Sequence, residues 1–337
     1  MKLEERIEAL VRLGVLLDSN PESLDRAVQQ AFVENRWFVP RNSYASVEAI
    51  RQEFLQEDAL RKWVRHYDLE NIRPRAVGLI VAGNIPLVGF HDLLAVFLSG
   101  HIAKVKLSDK DTALMKWMVD VLAQINPKTK TYIRLVEKLE DFDAVIATGS
   151  DNTARYFETY FGQYPHIIRH NRNSVAILTG QESREELYAL GQDIFSYFGL
   201  GCRNVSKIYV PQSYDFQPLL EELHKYKEII LNDKYKNNFD YAFTLYIMNK
   251  EFYMNNGCII LHEAASLSSR ISTLHYGYYG DLTQLYQELA QKENEIQCVV
   301  ATSAPDNLPL VPFGKTQTPG LMDYADGVDV MQFLERL

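Results

Sequence analysis

Apolar residues recur every three or four positions through EERIEALVRLGVLL, then SLDRAVQQAFVEN after Pro21, then SVEAIRQEFL and DALRKWVRHY. This spacing gives each segment one apolar stripe and predicts a helical N-terminal segment over residues 1–75. The pattern then changes to short unbroken apolar runs divided by turns. Ala76 to Val81 reads as a buried strand, Ala82 to Pro86 as a turn, Leu87 to Ser99 as a helix stopped by Gly100, and Ile102 to Leu107 as a second strand. Together they form a βαβ unit. The same letters, Gly78 to Gly100, are long enough to cross a bilayer, but Asn84, Pro86, His91 and Asp92 interrupt them and a membrane span is rejected.

The alternation continues with a helix from Ala113 to Gln124, a strand from Ala144 to Ala147, the turn TGSD and a helix from Asn152 to Phe161. After Asn173 come a strand Val175 to Leu178, a helix Arg184 to Phe198, a GLGCRN loop and a strand Ile208 to Val210. A helix from Pro218 to Tyr226, strands at CIILH and ISTLHY, a helix Asp281 to Gln291 and a strand CVVAT follow. The tail from Asn307 carries prolines and glycines and reads as extended. Strands alternating with helices predict an α/β fold with mostly parallel sheets. Four segments are expected: 1–75, 76–172, 173–306 and 307–337.

Composition narrows the function. The 337 residues, 47% hydrophobic and 23% charged, suit a folded protein of about two domains. A formal charge of −9 argues against a general nucleic-acid or anionic-membrane surface. Three cysteines, and an N-terminus without a signal-peptide apolar core, predict a reducing, cytoplasmic setting.

Neither GxGxxG nor a P-loop occurs, and without HExxH or CxxC no metal site is expected. Cys258 and Cys298 lie in apolar runs and read as small buried hydrophobes. Cys202 follows Gly199 and Gly201 in a loop and precedes Arg203, a cation that would favour the attacking thiolate. Asn84, in the turn after a buried strand, stands either as an amide donor to a ligand or as an Asx turn before Pro86. Gly149 and Ser150 open a helix, where phosphate binding and plain capping both fit. Lys106 ends a strand with Lys104 on the same face, and Arg169 and Arg172 crowd with two histidines in HIIRHNRN. A lysine at a strand end reads as solvated, while the arginine cluster is either a site for an anionic cofactor or substrate or a solvated face.

In order, these pieces resemble the aldehyde dehydrogenase superfamily and, within it, the LuxC-like fatty acyl-CoA reductases. GLIVAGNIPL is similar to the superfamily's strand and proline-asparagine turn, LSGHIAKVKLSD to the segment ending in KPSE, and ATGSDNTARYF to the FTGS turn. RHNRNSVAIL lies where the family has ELGGKSPAIV, GLGCRNVSKIYV where it has the nucleophile loop, and PFGKTQTPG where it has PFGGxKxSG. EEIFGP has no clear counterpart, SLSSRIS standing near that point.

The resemblance implies an aldehyde dehydrogenase-like fold, with a Rossmann-type cofactor domain over 76–172, an α/β nucleophile domain over 173–306, and a C-terminal segment returning to the cofactor domain or an oligomer interface. It implies Cys202 as nucleophile, Asn84 as oxyanion donor beside the Cys202 N–H, Lys106 at the adenosine ribose, and Gly149 with Ser150 at the pyrophosphate. Lys104 or Lys106 would meet the 2′-phosphate of NADPH, with NADH the alternative cofactor. Arg169 falls where hydrolytic relatives carry their general-base glutamate, which leaves water without an activator and frees Arg169 to bind an anionic substrate. The implied activity is reduction of acyl-CoA to a fatty aldehyde through a Cys202 thioester. Alternatives are an NAD(P)-dependent aldehyde dehydrogenase, an acyl-phosphate reductase, or an inactive scaffold subunit. The expected partners are the acyl-CoA substrate and either a second copy of the chain or an acyl-transferring enzyme.

Overall fold

The computed structural model describes residues 1–69, 72–149, 151–302 and 310–337. The chain forms two units, Met1–Asn171 with Pro319–Leu337, and Arg172–Thr318. In the first, four helices, α1 (Leu3–Asp18), α2 (Glu22–Glu34), α3 (Pro40–Phe54) and α4 (Glu57–Val64), precede β1 (Ala76–Ile80), α5 (Phe90–Ser99) and β2 (Ile102–Lys106). Then come α6 (Ala113–Ile125), β3 (Ile133–Leu135), β4 (Ala144–Thr148), α7 (Asp151–Phe161) and β5 (His166–Arg169). The strands pair in parallel in the order β3-β2-β1-β4-β5.

The N-terminal helices share one core with the sheet of the first unit. Ile7, Leu10, Leu13 and Leu17 make one stripe along α1 and join Val77, Leu79, Leu94 and Ile146 in a single core. α5 is buried on nearly every side, packed on α1, β1 and β2, which is why its letters imitate a membrane span. Among the described residues no helix is long and apolar enough to cross a membrane.

The second unit contains β6 (Asn173–Ile177), α8 (Arg184–Phe195), β7 (Val205–Pro211), α9 (Phe216–His224), α10 (Asp233–Asn249), β8 (Met254–Asn255), β9 (Ile260–Glu263), β10 (Thr273–Tyr279), α11 (Leu282–Ala290), β11 (Ile296–Val300) and β12 (Leu310–Val311). Its sheet runs β12-β11-β6-β7-β10-β9-β8, parallel except for the β8 edge. α12 (Val330–Glu335) ends the chain in the first unit, with Val330, Met331 and Leu334 in its core.

Three expectations change. The helix from Arg184 stops at Phe195 rather than Phe198, because Tyr197, Phe198 and Gly199 take left-handed backbone at φ 52°, 60° and 75°. α10 is unforeseen. The tail from Asn307 is not simply extended: residues 307–309 lie outside the described residues, but beyond them β12 pairs with β11 and α12 is helical.

Candidate active site

In the second unit Cys202 is half-buried in the loop between α8 and β7. The loop is braced from below by Asn204, only 4% exposed. Its Oδ1 accepts from Gly201 N at 2.8 Å, while its Nδ2 donates to the carbonyls of Asp193 and Ser196, both at 2.9 Å. Ser174 Oγ on β6 donates to the Cys202 carbonyl at 2.9 Å. Before the loop, the buried rings of Tyr197 and Phe198 hold the left-handed backbone, whose strain is of order 1–3 kcal/mol per residue.

The end of α8 serves a second loop as well. The Asp193 carboxylate accepts from Gly314 N at 2.7 Å, Thr316 N at 3.0 Å and Thr316 Oγ1 at 2.8 Å, fixing the PFGKT segment. Burial raises the Asp193 carboxyl, and these hydrogen bonds partly offset that rise. Asn204 and Thr316 stand within GLGCRN and PFGKTQTPG, but neither motif marks them or Asp193 as supports of the loop.

The other cysteines differ. Cys258 is fully buried, and burial pushes its thiol up to about 12. Arg203, expected to favour the Cys202 thiolate, brings its Nη1 to 3.3 Å from the Cys298 sulfur.

In the first unit, the strand order reverses between β1 and β4, the switch point where open α/β sheets accommodate ligands at the carboxyl ends of their strands. The turn with half-buried Asn84 leaves β1 there, exposed Lys106 ends β2, and Gly149 follows β4 at the start of α7. A Cβ on Gly149 would come within 3.0 Å of Thr153 and Phe157, so glycine lets the turn lie close against α7. Ser150 lies outside the described residues. These groups fit a nicotinamide dinucleotide: a lysine for the ribose and a close helix start for the pyrophosphate.

Two of the candidate cations have partners within the first unit. Lys104 Nζ donates to the carbonyls of Glu140 and Asp141 at 2.8 and 2.7 Å and so braces the loop before β4. Arg169, read as a substrate-binding cation, is 6% exposed and its guanidinium forks onto Asp92 of α5, with Nη2 to Oδ1 at 2.8 Å and Nη1 to Oδ2. Burial opposes the Arg169 charge, but the Asp92 carboxylate outweighs it and holds the arginine protonated. The fork that would grip a phosphate is already filled.

The fold is that of the aldehyde dehydrogenases. Aldehyde dehydrogenase 21 from Physcomitrella patens, in complex with the reaction product succinate, superposes with a TM-score of 0.66 at 12% identity, over 90% of this chain and 74% of that one. Indole-3-acetaldehyde dehydrogenase with NAD+ does so at 0.64 and 14%, over 85% of this chain and 69% of that one. Within that fold the chain belongs to the LuxC acyl-CoA reductase family, which matches residues 22–238. The long-chain acyl-protein thioester reductase 2 of Photobacterium leiognathi is 27% identical over 181 residues, 48% of this chain. The aligned stretch spans only 37% of that relative's length.

Proposed function

We propose that the chain is an oxidoreductase acting on acyl and aldehyde groups, and specifically an NADPH-dependent acyl-CoA reductase that forms a fatty aldehyde. The observation carrying this reading is the braced, half-buried Cys202 loop in a member of the LuxC family. The Cys202 thiolate attacks the acyl carbonyl, a C–S bond forms, and the CoA thiolate leaves. Asn84 and the Cys202 N–H are assigned the oxyanion that develops during attack. A bound nicotinamide cofactor would supply the hydride that takes the Cys202 thioester to aldehyde. Lys106 and Gly149 are assigned its ribose and pyrophosphate. The buried Arg169 offers no lone pair to a water, so the acyl-enzyme is kept for reduction rather than hydrolysis. A cytoplasmic setting belongs to the same proposal.

The name of the Photobacterium relative favours a second reading, in which an acyl-protein thioester donates the acyl group. Incubation with a long-chain acyl-CoA in the absence of reductant, followed by intact mass and peptide mapping, tests the first. One acyl group on Cys202, absent from a folded Cys202→Ala variant, is expected. A full adduct on Cys258 or Cys298 in that variant would overturn the assignment, and acylation by acyl-protein alone would favour the second donor.

A further inference from the structure

The turn that carries Asn84 is held by two groups that no motif marks. Ser46 on α3, buried, donates its Oγ to the Pro86 carbonyl at 2.7 Å. Asp111, 3% exposed in the turn before α6, accepts the Leu87 amide on Oδ2 at 2.7 Å. Leu87 has φ 58°, a left-handed conformation that is costly for leucine and persists only where its surroundings enforce it. The enforcing group is itself expensive. Asp111 Oδ1 is buried without a hydrogen-bond partner, and burial, with the Glu34 charge adding to it, pushes the carboxyl up to about 7. An apolar side chain would avoid that cost but leave the Leu87 amide unmatched in the interior.

We infer that Asp111 and Ser46 are positioning residues that fix the backbone just beyond Asn84 and so set the direction in which the Asn84 amide is presented to the acyl oxygen. The inference rests on the reading of Asn84 as oxyanion donor. It assigns Asp111 no contact with substrate.

The test follows single-turnover acylation of Cys202 by an acyl-CoA, with thermal melts to confirm folding. Asp111→Ala lowers the maximal acylation rate about tenfold and leaves the half-saturating acyl-CoA concentration unchanged, the size expected for one lost buried hydrogen bond. Asp111→Asn, which keeps an acceptor for Leu87, restores the rate. In an Asn84→Ala background Asp111→Ala gives no further loss, because the two act as one unit. Should Asp111→Ala not fold, Ser46→Ala in the same two backgrounds carries the comparison. Wild-type rates in the Asp111 and Ser46 variants, or equal losses in both backgrounds, overturn the inference alone if Asn84→Ala is itself slow. A wild-type rate in Asn84→Ala overturns the Asn84 reading and the inference with it.

Discussion

A buried charge acts through the partner it keeps, and Arg169 shows the consequence. Sequence alignment alone nominates Arg169→Glu as the change that would restore a hydrolytic base. In the structure the same change sets two carboxylates together where Arg169 and Asp92 now form a closed pair. Breaking such a pair typically costs about 3–5 kcal/mol. Arg169→Glu is therefore expected to unfold at markedly lower urea than the wild type, and a matching midpoint would show the pair to be dispensable. Asp111 gives a prediction of opposite sign. Its carboxyl stands at about 7 when folded, against about 3.9 in an unfolded chain, so the folded state binds the extra proton. Stability from this group is present at low pH and is lost as pH rises to about 7, where it levels off. Asparagine mimics the protonated form and does not titrate. The gain in Tm of Asp111→Asn over wild type should be larger at pH 8 than at pH 5, and equal gains at both would show that burial does not perturb the carboxyl.

Among the elements, the end of α8 organises the second unit's chemistry: its carbonyls hold the Cys202 loop through Asn204, and its Asp193 side chain holds residues 314–316. Asn204→Ala leaves an amide and two carbonyls unmatched, which should cost about 1–3 kcal/mol and slow Cys202 acylation. Unchanged denaturant midpoint and acylation rate would remove Asn204 from the site. Little of this support was legible in the sequence. The βαβ run from Ala76 was readable because β1 and α5 are buried on nearly every side and so almost uninterrupted in apolar letters, while β2 alternates apolar residues with Lys104 and Lys106. α10 was not. It buries only Tyr235, Ala242 and Tyr246, and its polar, aromatic-rich letters give no clean helical period. Cys202 and Asn84 stood out because loops between apolar runs expose their chemistry. Asp92 with Arg169, and Asp111 with Leu87, are joined across 77 and 24 residues of chain, and only the sheet brings them together.

At the scale of the whole molecule, the first unit is discontinuous, closed by Pro319–Leu337 after the second has been traversed. α12 brings Val330, Met331 and Leu334 into the core, and Tyr324 accepts a hydrogen bond from Trp63 Nε1 at 2.7 Å. Each buried apolar side chain of this kind contributes about 1.5–3 kcal/mol. Deletion of residues 319–337 should therefore lower amide-exchange protection throughout α4, α5 and β1 while leaving β6 and β7 protected. Uniform loss, or none, would show that the closing segment does not support the first unit selectively. The same connectivity bears on how the protein is made. A ribosome adds about 5–20 residues per second, so the N-terminal half waits on the order of ten seconds for its last helix. During that interval the face of α5 that α12 will cover, and the Trp63 indole that Tyr324 will meet, stay open to water, and newly made chains should recruit holding chaperones until residues 319–335 emerge.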